Sequence, residues 1–206
     1  MILLINNYIR DLDLGELEMQ HYIGERLKTN FDVDYRIIHY SEVDGETLKK
    51  SPEIKAVIIG GSRDPWEYVN LHNIYGGEME LIKNTSVPVL GICAGMQIMA
   101  IAYGVGLKRL CIGMEERGYT RLRKIGNSSV LEGLSDEITM WEFHDLMLAS
   151  VPEGFENVVN SDSGIQMIQR KEGTPTFGVQ FHPERFDDKH PEGKKLLENF
   201  VNLTMC

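Results

Sequence analysis

No stretch of the chain approaches the ~18 consecutive apolar residues that a membrane-spanning helix needs, so no membrane association is expected. The apolar start, Met1 to Ile5, has no basic residues before it and is too short for the core of a secretion signal. It reads as a first strand. Cysteine is scarce: Cys93, Cys111 and Cys206 are the full set. The number is odd and no Cys-x-x-Cys pair occurs. Both facts argue against a disulfide framework and a cysteine-based zinc site, and they favour a reducing compartment, the cytoplasm. Cys111 reads as a core residue and Cys206 as a tail residue. Positive charge is also in short supply, with 21 Lys and Arg against 31 Asp and Glu and a net charge of -10. Such a chain lacks the general field that nucleic-acid binding uses, so no nucleic acid is expected as a partner. Repeats, low-complexity tracts and interdomain linkers are missing, and 206 residues suit a single domain over 1–206.

What is present alternates between strand-like and helix-like segments. Compact apolar runs at Met1–Ile5, Asp34–His39, Ala56–Ile59 and Val87–Ile92 predict strands. Helical spacing predicts helices over Leu14–Leu27, Leu71–Lys83 and Gly95–Tyr103. This repetition implies an α/β domain with a mostly parallel sheet flanked by helices. The remainder is strand-rich, at Tyr119–Ile125, Glu137–Trp141, Phe155–Asn160, Ile165–Gln169 and Thr176–Gln180. A closing amphipathic helix is expected at Glu192–Leu203. In sheets of this kind the site gathers beyond the carboxyl ends of the strands. Gly60-Gly61 and Gly91 to Gly95 mark two of those ends.

Val89-Leu-Gly-Ile-Cys-Ala-Gly-Met-Gln97 reads strand, Gly-x-Cys-x-Gly, helix. This is the cysteine form of a nucleophile elbow, in which a tight turn lifts the reactive atom clear of the sheet. The turn needs small neighbours, and a helix N-terminus favours thiolate. A buried structural cysteine beside packing glycines is the competing reading of this stretch alone. A cysteine nucleophile also needs a base. Gly178-Val-Gln-Phe-His-Pro-Glu184 supplies His182 to move the proton and Glu184 to orient the imidazole. Ile58-Ile-Gly-Gly-Ser62 could present backbone N–H groups to an oxyanion, together with the N–H of Ala94. An ordinary tight turn is the alternative there.

Together, and in this order, the three pieces resemble the class I, triad-type glutamine amidotransferases. The likeness runs over nearly the whole chain, from Met1-Ile-Leu-Leu-Ile5 through Val151-Pro-Glu-Gly-Phe155 to Leu197-Glu-Asn-Phe200. It implies a flavodoxin-like fold. It also implies that Cys93 attacks the carboxamide of glutamine to form a glutamyl thioester, with His182 as base and acid and Glu184 behind it. Gly61 and Ala94 would stabilise the oxyanion. Gly60, Gln97, Phe143 and His144 would contact the glutamine. No metal and no cofactor is called for. The layout is similar to glutaminase subunits that feed ammonia to a separate synthetase. The chain ends soon after its last helix and holds no Gly-x-x-x-x-Gly-Lys phosphate loop, so a separate acceptor polypeptide is expected. A γ-glutamyl hydrolase or peptidase would use the same thioester, and a weakly catalytic regulatory homologue would keep the fold.

Two segments depart from the family pattern. Ser62-Arg63-Asp64-Pro65 stands where a proline usually follows Gly-Gly, so the oxyanion turn is expected to differ in shape. Trp141-Glu-Phe-His-Asp145 places Phe143 and Asp145 around His144, which could equally be a packing histidine at a strand end. Lys108, Arg109, Arg117, Arg121, Arg123 and Lys124 form a basic strip against Glu115 and Glu116. It reads as a solvated hairpin face or as a docking surface for an acidic partner.

Overall fold

The computed structural model describes residues 1–64, 66, 70–111 and 115–204. The chain opens with β1 (Ile2–Asn6) and a helical stretch made of α1 (Leu12–Glu18), a π-helical turn (Met19–Gly24) and α2 (Glu25–Phe31). Then follow β2 (Tyr35–His39), β3 (Ala56–Ile59), α3 (Leu71–Ile74), α4 (Gly76–Asn84), β4 (Val89–Ile92) and α5 (Ala94–Ala102). The second half holds β5 (Leu107–Arg109), β6 (Glu116–Lys124), β7 (Glu137–His144), β8 (Leu146–Leu148), β9 (Phe155–Asn160), β10 (Ile165–Arg170), β11 (Thr176–Val179) and α6 (Glu192–Asn202).

Nine strands form one sheet in the order β2-β1-β3-β4-β11-β10-β9-β6-β7. The first five in that order are parallel and the rest antiparallel. The strand-rich second half therefore extends the parallel sheet rather than building a separate one. β11, late in the chain, lies between β4 and β10.

Strand alternation splits the core into two layers. Ile2 and Leu4 of β1 join Leu27 of α2 and Leu196 and Phe200 of α6 on one face. Leu3 and Ile5 join Ile82 of α4 and Met96 and Met99 of α5 on the other. β1, β3 and β4 are buried throughout, which is why they read as unbroken apolar runs rather than alternating ones.

The first helical stretch runs further than Leu14–Leu27 at both ends. The Asp11 side chain caps its start by accepting from the Leu14 N–H at 3.0 Å. Asp32, in the left-handed region at φ 52°, ends it. A wide turn in the middle seats Gly24 against Tyr35, where any Cβ would collide with the tyrosine ring. The sequence does not predict β5 and β8. They pair antiparallel as a small second sheet, and three residues each is too short to show a period. Cys111, expected in the core, is exposed, because it follows the end of β5 rather than continuing a strand. Cys206 lies outside the described residues.

Candidate active site

β4 runs directly into α5, and Cys93 sits at the junction with φ 50° and ψ −101°. A non-glycine residue at positive φ is strained and persists only where its surroundings hold it. Here the Cys93 N–H donates to the Val179 carbonyl at 2.7 Å, and the Cys93 carbonyl accepts from Gln97 N–H at 3.1 Å. The flanking glycines are steric necessities. A Cβ on Gly91 would lie 2.7 Å from the Gly95 carbonyl carbon, and one on Gly95 would drive into the Ile59 carbonyl.

β11 lies beside β4 with Val179 opposite Ile92, so the residues after β11 emerge next to the elbow. His182 Nδ1 donates to Glu184 Oε1 at 2.7 Å. The His182 N–H donates to the Trp141 carbonyl at 2.7 Å, which ties this turn to β7. Burial alone would disfavour the His182 imidazolium. The Glu184 charge, the hydrogen bonds to Cys93 and Glu184 and a charged Cys93 outweigh it and hold the group well above the usual histidine range. Gly61 comes close to both: a Cβ there would be 3.2 Å from His182 Cε1 and 3.7 Å from Cys93 Cβ. Ala94 opens α5, so its N–H belongs to the first turn, where helices leave donors free.

Behind Gly61, Gly60 packs on the Met19 thioether, and its carbonyl accepts from Asn7 Nδ2 at 3.0 Å. The unusual Ser62-Arg63-Asp64 segment is pinned rather than loose. Asp64 accepts from the Ile9 N–H at 2.6 Å and from the Ser62 hydroxyl at 3.0 Å. Pro65 lies outside the described residues.

A cavity of about 150 Å³ opens over Cys93 and His182. Of the expected contact residues, Gly61 and Phe143 line it, along with Glu184; Gly60, Gln97 and His144 do not. Gln97 turns its amide away, donating to the Leu146 carbonyl and to Gln180 Oε1, both at 3.1 Å. Gln180 in turn donates to Cys93 Sγ at 3.5 Å. Gln97 therefore reaches the nucleophile through Gln180, which the motif reading passed over. The signal was available: Gln180 precedes His182 by two residues. The imidazole of His144 is buried on the far side of β7. Its Nδ1 donates to the Leu146 carbonyl at 3.0 Å, and its Nε2 lies 3.0 Å from Glu116 Oε2 and 3.1 Å from Glu142 Oε2. Burial pulls the His144 imidazolium down, but the two carboxylates carry it up to about 10. Burial pushes Glu142 up to about 7 against the pull of His144.

The cavity mouth carries charge that no motif announced. Glu18 at the end of α1 pairs with Arg63, lies 3.5 Å from Arg185 and accepts from the Tyr8 hydroxyl. Arg185 stacks over Tyr22 at 3.4 Å, and Arg63 and Arg117 approach the exposed Phe143 ring. All but Arg117 line the cavity. The basic strip does not form a hairpin. Lys108 and Arg109 sit on β5, which pairs with β8, whereas Arg117 to Lys124 sit on β6, which pairs with β7. Arg109 pairs with Asp145, Arg121 lies 3.7 Å from Glu137, and Lys124 Nζ donates to the Leu134 carbonyl at 2.8 Å. Glu116, counted with the strip, turns inward to His144.

A thiol beside an imidazole that a buried carboxylate orients, with backbone donors nearby, suits acyl transfer from a carboxamide or ester. Comparison with known proteins narrows that class. The family model for glutamine amidotransferase class-I matches residues 17–203. The glutamine-hydrolysing subunit of GMP synthase from Methanococcus vannielii is 32% identical over 159 residues, which cover 77% of this chain and 78% of that one. Its counterpart from Methanococcus maripaludis is 33% identical over 181 residues, covering 87% and 88%. A solved glutamine amidotransferase from Thermotoga maritima superposes with a TM-score of 0.74 at 19% identity, covering 100% of this chain and 98% of that one. The chain belongs to the class-I glutamine amidotransferase family.

Proposed function

We propose that this chain hydrolyses the side-chain amide of glutamine and delivers the ammonia to a separate synthetase subunit, in the manner of the GMP synthase subunits it is similar to. One observation carries the reading: Cys93 sits on a strained elbow, beside His182 and Glu184, at the floor of a cavity of small-substrate size. The Cys93 thiolate attacks the carboxamide carbon. The oxyanion is met by the N–H groups of Gly61 and Ala94. The carbon–nitrogen bond breaks as His182 hands its proton to the leaving nitrogen, giving ammonia and a γ-glutamyl thioester. Water then attacks, His182 takes its proton, and glutamate and thiolate separate. At the cavity mouth, Arg63 and Arg185 suit the α-carboxylate of the substrate and Glu18 its α-ammonium group. The free thiol of Cys93 and the exposed one of Cys111 suit the cytoplasm.

The deciding experiment measures ammonia release from glutamine and from a panel of γ-glutamyl amides, with and without the ATP-consuming partner of a GMP synthase. The expected result is release from glutamine that rises when the partner is added. It should fall by at least ~10³-fold in a folded Cys93→Ala variant. A γ-glutamyl amide turned over in clear preference to glutamine would instead make the chain a γ-glutamyl hydrolase.

A further inference from the structure

We infer that Glu116, Glu142 and His144 form a binding site for one first-row divalent metal ion, of the Zn²⁺ or Mn²⁺ class, behind the catalytic cavity. Alternation along β7 turns Trp141 and Phe143 to the cavity and leaves Glu142 and His144 on the opposite, buried side. Glu116 is the cross-strand partner of His144 on β6, which brings a third ligand alongside. One ligand atom from each residue lies within 4.8 Å of the others. Metal–ligand bonds of ~2.0–2.2 Å set neighbouring donors ~3.0–3.6 Å apart. The His144 Nε2 separations of 3.0 and 3.1 Å from the two carboxylates already have that spacing.

Two further observations point to a cation. A carbonyl can only accept, so the bond to Leu146 places a proton on His144 Nδ1 and frees the Nε2 lone pair in the neutral ring. A ligating histidine is ordinarily anchored in this way. In addition, both Glu142 oxygens and His144 Nε2 are buried without an aligned hydrogen bond, and the two side chains are 0% and 2% exposed. Buried polar atoms of this kind are costly unless something satisfies them. An ion at the focus of the three groups meets all of these atoms and neutralises two carboxylates. Outer partners are in place as well: Gln166 donates to Glu116 at 2.6 Å and to the Ser161 hydroxyl at 2.9 Å. One imidazole with two carboxylates is a mixed nitrogen–oxygen set that suits first-row divalent ions.

The ion has a structural task near the nucleophile. The Leu146 carbonyl accepts from both His144 Nδ1 and Gln97 Nε2, and Gln97 holds Gln180 against Cys93. Fixing His144 therefore fixes one end of a hydrogen-bond chain that finishes on the sulfur. No catalytic step passes through the metal.

The test uses the full chain carrying Cys93→Ala, so that the catalytic thiol and His182 offer no rival site. Metal-stripped protein is dialysed against Zn²⁺ and its metal content measured. Co²⁺ is then used as a spectroscopic probe. The expected result is one equivalent per chain and a cobalt spectrum with ligand-field bands but no thiolate charge transfer, since no cysteine is in the set. Adding Glu142→Gln should weaken Zn²⁺ binding by at least ~100-fold, beyond the usual effect of an outer-shell change. Glu116→Gln, at the more open edge of the cluster, should do the same, and it decides the matter if Glu142→Gln fails to fold by circular dichroism. Absence of stoichiometric binding by the folded chain overturns the inference. So does binding that survives either folded variant or a thiolate-type cobalt spectrum. The cluster is then a closed histidine–glutamate ion network.

Discussion

Gln180 shows how far a short motif carries at the scale of single residues. Cys93, His182 and Glu184 are legible as a group because each stands in a local pattern whose backbone dictates where it points. The direction of Gln97 is not legible, because its amide answers to Leu146 and Gln180, 49 and 83 positions away. The turning of His144 away from the cavity is hidden for the same reason, since its partners Glu116 and Glu142 give no spacing signal. If Gln180 steadies the sulfur, Gln180→Leu should lower kcat by about 10-fold, leave KM nearly unchanged and alter the rate of Cys93 alkylation. Steady-state kinetics and iodoacetamide labelling read these separately. His182 offers a second check. Its folded pKa is raised above the ~6.5 of a free histidine, so its stabilising contribution is complete below that pH. The contribution is lost as pH rises through the folded value. In Cys93→Ala the sulfur's share of the shift disappears and Glu184's share remains. The His182 imidazole should then titrate lower than in wild type but still above ~6.5, as followed by NMR.

Among the elements, buried strands and the helices behind them are the legible part, because long apolar runs and helical periods survive tertiary context. β5 and β8 are not legible: their pairing depends on a contact between residues 107–109 and 146–148 rather than on any local pattern. One element carries an internal conflict. Glu78, in the first turn of α4, is fully buried, and neither carboxylate oxygen has a hydrogen-bond partner. Burial raises its pKa well above the carboxylate range. The unfolded chain ionises this group from about pH 4.3 upward while the folded chain resists, so stability falls with rising pH until the folded value is passed. Glu78→Gln should therefore raise the Tm at pH 8 and change it little at pH 4. Each kcal/mol gained is worth about 2–4 °C in a chain of this size. A thermal melt at both values decides it.

For the whole molecule, a mostly parallel α/β domain follows from the alternation of elements, whereas its antiparallel extension does not. Nothing local in Phe155–Asn160 or Ile165–Arg170 says that these strands join the first sheet. Charge behaves similarly. The basic residues near 108–124 look continuous in sequence and divide between two sheets in space. Arg121 and Arg123 stay exposed on β6, away from the cavity. If that face meets an acidic synthetase surface, Arg121→Glu with Arg123→Glu should weaken stimulation by the partner several-fold and leave basal ammonia release as it was. Unchanged stimulation at high and low salt would remove this face from consideration.

The placement of β11 between β4 and β10 has a consequence for biosynthesis. β4, which ends at the nucleophile, has one edge open until residues 176–179 leave the ribosome. Through most of translation the nascent chain therefore exposes a hydrophobic strand edge at the centre of its future sheet, the kind of surface that recruits chaperones or neighbouring nascent chains. The same order protects the cell's glutamine. Cys93 gains its neighbour His182 only when β11 docks, so a ribosome that stalls before the last strand releases a fragment with a thiol but no base.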